Sequence, residues 1–224
     1  MSPPRQRASA RRAPTPPDVQ LPDDLEPSAG PVAPGASLDT VALSGLGAAG
    51  AHLGALRFLD CRVADCRLDA AALHRARVAA SAWTRVSAVG ADLSASTWAD
   101  VEVSDCRLSA ARFTGAHLDR GRVEGTRLDG ASFRDAVLTD VALAGCSLRE
   151  ADLTGARLTR VTFEGCDLDG VDVSGARLDQ VDLRGARLGE PRGLAGLAGA
   201  VVTPVQVVEL SLVMAAHLGL VVEG

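Results

Sequence analysis

From residue 36 to residue 190 the chain counts in fives. Every fifth residue from Leu38 to Leu188 is large and apolar, with 18 Leu, 5 Val, 4 Phe, 2 Trp and 2 Ala in 31 positions. The residue two places earlier, from Ala36 to Ala186, is small or apolar: 13 Ala, 7 Val, 5 Cys, 2 Leu, 2 Ser, one Gly and one Thr. The three remaining columns carry nearly all the charge, Ser, Thr and Gly. A helix turns by about 100° per residue, so apolar positions five apart spiral around it and bury nothing. A strand has period two, so a step of five switches faces. The pattern therefore predicts a solenoid whose five-residue units each form one short side, with two residues inward and three outward.

A second period sets the number of sides. Ala recurs at Ala51, Ala71, Ala91, Ala111, Ala131 and Ala151, and Val at Val41, Val101, Val141, Val161 and Val181. Cys66, Cys106, Cys146 and Cys166 fall on another 20-residue grid. Four sides of five residues stack these like on like, which predicts a square cross-section and about eight coils. No Pro interrupts residues 36–190, so no backbone donor is lost from the ladder. Gly at the fifth position late in the array (Gly155, Gly165, Gly170, Gly175, Gly185) predicts a turn with positive φ.

Units such as ADLTG at 151–155, CDLDG at 166–170 and VDLRG at 181–185 resemble pentapeptide repeats. The resemblance covers residues 36–190. It implies an all-β solenoid, a right-handed quadrilateral β-helix, closed here by a C-terminal capping or dimerisation helix.

The flanks differ from the array. Residues 1–35 hold nine of the 11 Pro, a basic first dozen (Arg5, Arg7, Arg11, Arg12) and an acidic second half (Asp18, Asp23, Asp24, Glu26). This composition predicts a disordered tail, with Leu21 and Leu25 placed to dock on the first coil. The first units are weak: Ala48 stands in the large column among Gly45, Gly47 and Gly50, as at a frayed solenoid end. Ala88 is the second gap in that column, to be filled by Trp83 or Val86 or left as a cavity. Residues 191–224 form a separate segment. Thr203–Pro204–Val205–Gln206 reads as a helix start, with a capping box and Pro in the first turn, and Gly219 as its end. The Val-rich stretch also fits a strand. On a helical wheel Gln206, Glu209 and His217 make a narrow polar stripe and most of the rest is apolar. The surplus apolar surface points to a homodimer through Val205, Val208, Leu212, Ala215 and Ala216. A buried cap in a monomer is the competing reading.

Composition removes most chemistry. The mild net charge of −5 disfavours general nucleic-acid binding, and no direct nucleic-acid contact is expected. The five Cys occupy the inward column and read as small buried hydrophobes, reduced in a cytoplasmic protein. Cys146 and Cys166, on neighbouring coils about 4.8 Å apart, are close enough for a disulfide, but in-register side chains point the same way. No apolar run reaches membrane-spanning length. His52, His74, His117 and His217 are scattered, and no P-loop, dinucleotide or zinc motif occurs. No enzyme, cofactor or metal is expected.

Charge does vary along the axis. Residues 36–160 balance 15 Arg against 15 acids, whereas residues 161–190 set seven acids against three Arg, a net of −4. Glu164, Asp167, Asp169, Asp172, Asp179 and Asp182 are therefore the candidate partner-binding acids. Two functions compete. One is a non-enzymatic scaffold or adaptor with a protein partner not identified by sequence. The other is a DNA-mimicking modulator or protector of DNA gyrase, which resemblance to the quinolone-resistance pentapeptide proteins implies. Faithful mimicry over a rod of this length needs on the order of 20 negative charges. The 22 acids of the array are offset by 18 Arg, which favours the adaptor.

Overall fold

The computed structural model describes residues 12–28 and 30–222. The strands are β1 (Glu26–Ser28), β2 (Ser37–Asp39), β3 (Val41–Ser44), β4 (Arg57–Leu59), β5 (Arg62–Ala64), β6 (Arg77–Thr84), β7 (Thr97–Ser104), β8 (His117–Glu124), β9 (Val137–Ala144), β10 (Arg157–Glu164) and β11 (Arg177–Asp179). All pairings are parallel, and within the array each residue meets its equivalent 20 positions on, as in Thr97↔His117 and His117↔Val137. The ladder Ser37–Arg57–Arg77–Thr97–His117–Val137–Arg157–Arg177 makes seven such steps. The fold is thus a right-handed quadrilateral β-helix of about seven turns, slightly fewer than the count of units suggests, because the end coils are incomplete.

The four sides are not alike. Two adjacent sides merge into the eight-residue strands β6 to β10, which bend at their centres. The other two pair through single bridges, such as Arg67↔Ser87 and Ala72↔Asp92. There each unit closes on a turn bond from the next inward residue, for example Ala71 N–H to Leu68 O at 3.0 Å. A left-handed residue marks the corners whether or not it is Gly: Ala70 (φ 53°), Arg75 (φ 58°) and Asp100 (φ 52°) adopt it as Gly130 and Gly155 do. The ladder over-determines the backbone, so the corner constraint reaches well beyond the glycines that signalled it.

Both inward columns form one continuous core. Ala88, Trp83 and Val86 are all buried, and Trp83 and Leu108 border an apolar cavity of about 40 Å³. The three polar residues of the inward column are buried and satisfied. Ser81 Oγ donates to Ala79 O (2.6 Å), Ser96 Oγ to Leu93 O (2.6 Å) and Thr126 Oγ1 to Glu124 O (3.0 Å). A staircase of rings runs through Phe58, Trp83, Trp98, Phe113 and Phe133, with centroids 4.9–6.3 Å apart. Trp98 Nε1 donates to Ser96 Oγ (2.9 Å), whereas Trp83 Nε1 is buried without a partner.

Both flanks depart from expectation. The N-terminal segment is not detached. β1 pairs in parallel with β3 and covers the first coil, and residues 12–18 lie against the rod, while Leu25, read from sequence as able to dock on the first coil, is buried and residues 1–11 fall outside the described part. At the other end the ladder outlasts the five-residue pattern: Arg192 pairs with Asp172 and Val201 with Asp182. The first coil is only partly buried at Leu38, Leu46 and Ala48, as its composition predicts.

Candidate interaction surfaces

The C-terminal segment is two short helices, α1 (Pro204–Glu209) and α2 (Ser211–His217), which meet at Leu210. The start is as read: Thr203 caps, the capping box with Gln206 is complete, and Pro204 lies in the first turn. The end is a left-handed Gly219 with bonds from Gly219 N–H to Ala216 O and from Leu220 N–H to Ala215 O, the arrangement in which a glycine satisfies terminal carbonyls. The break at Leu210 was not expected. Leu210 is buried, with its backbone φ at −78° and ψ at −6°.

Gln206 does not lie on an exposed polar stripe. It is buried, and its Nε2 donates to Leu183 O and Ala186 O, both at 2.7 Å. The thiols of Cys61, Cys66, Cys106 and Cys146 each reach a carbonyl 23 residues back, and Gln206 reaches Leu183 at the same offset. Its side chain thus closes the last coil and fixes α1 to it. Counting 20 from Ala186 would have found it. With that face tied down, the other is bare: Val205, Val208 and Leu212 are 66%, 71% and 65% exposed. Ala216 is also exposed and Ala215 half-buried, and Val207, Met214, Leu218 and Leu220 extend the apolar surface.

The candidate acids do not form one patch. Glu164 and Asp182 lie on the side that carries Thr162, Asp167 and Asp169 on the next, Asp172 on the third and Asp179 on the fourth. Several are paired with Arg. Arg187 reaches Asp167 at 3.0 Å and Asp169 at 3.5 Å, Arg149 reaches Asp169 at 3.7 Å, Arg192 reaches Asp172 at 3.6 Å, and Arg184 forks onto Asp182. The Ser174 hydroxyl and amide hold the Asp172 carboxyl below its usual range. The axial excess of acid is real in the sequence, but the square coil spreads it around the perimeter.

A different charged feature stands at the bend of the long strands. Asp100, Arg120, Asp140, Arg160 and Gln180 succeed one another up this corner on the 20-residue grid. Arg120 forks onto Asp100 (2.7 and 2.6 Å) and Arg160 onto Asp140 (2.7 and 2.6 Å). The Arg160 guanidinium, with the Thr15 amide, lowers the Asp140 carboxyl to about 2 against the upward push of burial.

The thiols are buried and unpaired, and burial pushes Cys106 up to about 11. The four His are exposed. Among the described residues, no cluster of His, Cys, Asp and Glu could hold a metal, and no helix is long and apolar enough to cross a membrane.

These features define a parallel β-solenoid with capped ends and a mixed-charge outer surface. Residues 96–173 match the family model of the pentapeptide repeat region, in line with the resemblance of the five-residue units. No curated protein matches. Among solved structures the chain is similar to QnrB1, a plasmid-mediated fluoroquinolone resistance protein, at 22% identity and a TM-score of 0.39, over 85% of this chain and 91% of that one. It is also similar to HetL, involved in heterocyst differentiation regulation in Nostoc sp. strain PCC 7120, at 18% identity and a TM-score of 0.25, over 73% and 86%. A pentapeptide repeat protein of the Arabidopsis thaliana thylakoid lumen gives 24% identity and a TM-score of 0.24, over 56% and 77%.

Proposed function

We propose that this protein is a non-enzymatic scaffold that binds a protein partner in the cytoplasm and self-associates through α1 and α2. The observation that carries the reading is the bare apolar face at Val205, Val208 and Leu212, on a segment whose opposite side is fixed by Gln206 and Leu210. A contiguous apolar surface of this kind is a mark of an interaction site. A second copy is the simplest occupant, because an isologous contact sets the same face against itself. The unpaired thiols support a reducing compartment.

The outer surface favours a protein partner over imitation of duplex DNA. Arg neutralises acids on successive coils, and the acids of the last coils face four directions. Gyrase is kept as the specific alternative partner, with Glu164, Asp167, Asp169, Asp172, Asp179 and Asp182 as its candidate contacts.

Sedimentation of the wild type and Leu212→Asp tests the self-association. The expected result is a wild-type dimer and a Leu212→Asp monomer with an unchanged circular dichroism spectrum. A monomeric wild type would overturn it. A supercoiling assay separates the partner readings: gyrase activity unmoved by excess protein supports the adaptor. Inhibition or protection that is lost on reversing Asp167, Asp169 and Asp172 to Lys would replace it with the DNA mimic.

A further inference from the structure

Residues 12–18 run along the bend of the long strands and touch it at a fixed interval. Arg12 N–H donates to Gln180 Oε1 (3.0 Å), Thr15 N–H to Asp140 Oδ1 (2.9 Å) and Asp18 N–H to Asp100 Oδ1 (3.2 Å). Each advance of three residues in the segment is a retreat of 40 in the rod, or two coils. Two coils span about 9.6 Å at the strand spacing. Three residues of polyproline II span about 9.3 Å. The two repeats therefore match to within a few tenths of an ångström.

The sequence of the segment suits this geometry. Thr15 and Pro16 each precede a proline, which holds them extended. Pro14, Pro16 and Pro17 have no N–H, so Thr15 and Asp18 supply the donors on either side of the Pro16–Pro17 pair. Three residues make one turn of polyproline II, so positions 12, 15 and 18 share one edge. Pro14 and Pro17 share another and are partly covered where the donor residues are exposed. On the rod, Asp100, Asp140 and Gln180 present acceptors, and the intervening Arg120 and Arg160 hold the two carboxylates in place. Beneath the prolines a space of about 180 Å³ separates them from Gly121, Arg122, Ala142, Thr162 and Glu164. The segment is held at polar points along one edge rather than by close packing.

We propose that Asp100, Asp140 and Gln180 form a docking ladder for an extended, proline-containing peptide read at three-residue intervals. Its occupant is the chain's own residues 12–18, bound as a removable strap. While docked, the strap covers the outward side of β8 to β10; released, it uncovers both that side and the ladder. The inference is independent of self-association through α1 and α2.

Two measurements on the full-length protein test it. The first is amide exchange. In the wild type, Thr15 and Asp18 should exchange at least tenfold more slowly than in a synthetic peptide of residues 10–20, ARRAPTPPDVQ. Asp140→Ala should remove the protection from both positions. Peptide-like exchange in the wild type would overturn the docking. The second measurement is binding of that labelled peptide in trans. Thr15→Pro removes one donor from the strap and leaves the rod untouched, so folding of the rod is not at stake. The Thr15→Pro protein should bind the peptide at least tenfold more tightly than the wild type, whose own strap competes at high effective concentration. A peptide with the central donor moved by one position, ARRAPPTPDVQ, should lose most of that binding. Equal binding of both peptides, or none to the Thr15→Pro protein, would overturn the ladder.

Discussion

Replacing Gly121 by Ala should stabilise the protein. Gly121 is the one glycine of the inward column between residues 36 and 186, and it lies between Val101 and Val141 in the ladder. It borders an apolar cavity of about 40 Å³ together with Trp98, Phe113 and Leu118. A Cβ built there would meet Val141 Cγ1 and Cγ2 at 3.7 Å and Val101 Cγ2 at 3.8 Å, ordinary contact distances. Gly121 is not among the residues with positive φ, so the backbone suits any L residue. Burying one methyl contributes about 0.8 kcal/mol. Restricting the unfolded chain adds about 0.4–1 kcal/mol. The sum, roughly 1–2 kcal/mol, corresponds to a rise of about 2–8 °C in thermal midpoint for a chain of this size. Gly130→Ala is the control. Gly130 has φ +64° and open space around its Cβ position, so an Ala there gains no packing and takes a left-handed strain of about 1–2 kcal/mol. Thermal melts followed by circular dichroism should move the two variants in opposite directions. A lower midpoint for Gly121→Ala would refute the inward placement of that column and the cavity beside it.

Two further outcomes follow from buried polar groups. Gln206→Leu should cost about 2–4 kcal/mol, because Ala186 O and Leu183 O lose a buried donor and the capping box is lost with it; limited proteolysis should then release the C-terminal segment, while exposed Glu209→Ala should leave it protected. Trp98→Phe should cost about 1 kcal/mol more than Trp83→Phe in denaturant melts, since only Trp98 gives up a satisfied N–H bond, leaving Ser96 with its bond to Leu93 O alone, whereas Trp83 sheds an unpaired one; equal costs would contradict the difference in their hydrogen bonding.

The core was legible because the solenoid maps sequence onto space by a fixed rule. A residue's column gives its side and its direction, and Leu128, Cys146 and Val161 are buried as that rule requires. The cross-coil ion pairs were open to the same arithmetic: Asp65 with Arg85, Asp100 with Arg120 and Asp140 with Arg160 are each 20 apart. A count of charge by stretch does not show them, and the acids of the last coils lie on four different sides. The docked N-terminal segment was not legible from composition. Proline and charge are the marks of a chain that cannot build a core of its own, but a short stretch needs only a ready-made row of acceptors at a matching repeat. The break between α1 and α2 carries no Gly or Pro to announce it; Leu210 is buried there, and its ψ of −6° departs from the helical value.

A stack of coils is in essence a one-dimensional object, in which each layer is stabilised by the layer above and the layer below. Such a stack can open anywhere, and a fault in the middle need not be felt at the ends. Residues 12–18 change that connectivity, because their amides bridge the layers that carry Asp100, Asp140 and Gln180. Layers that share no direct contact are thereby placed in one loop of interactions, closed through β1 at the first coil. The strap is in this sense a cross-tie. With it fastened, the central layers should open together, and with it loose the rod should revert to melting layer by layer from its thinner N-terminal end.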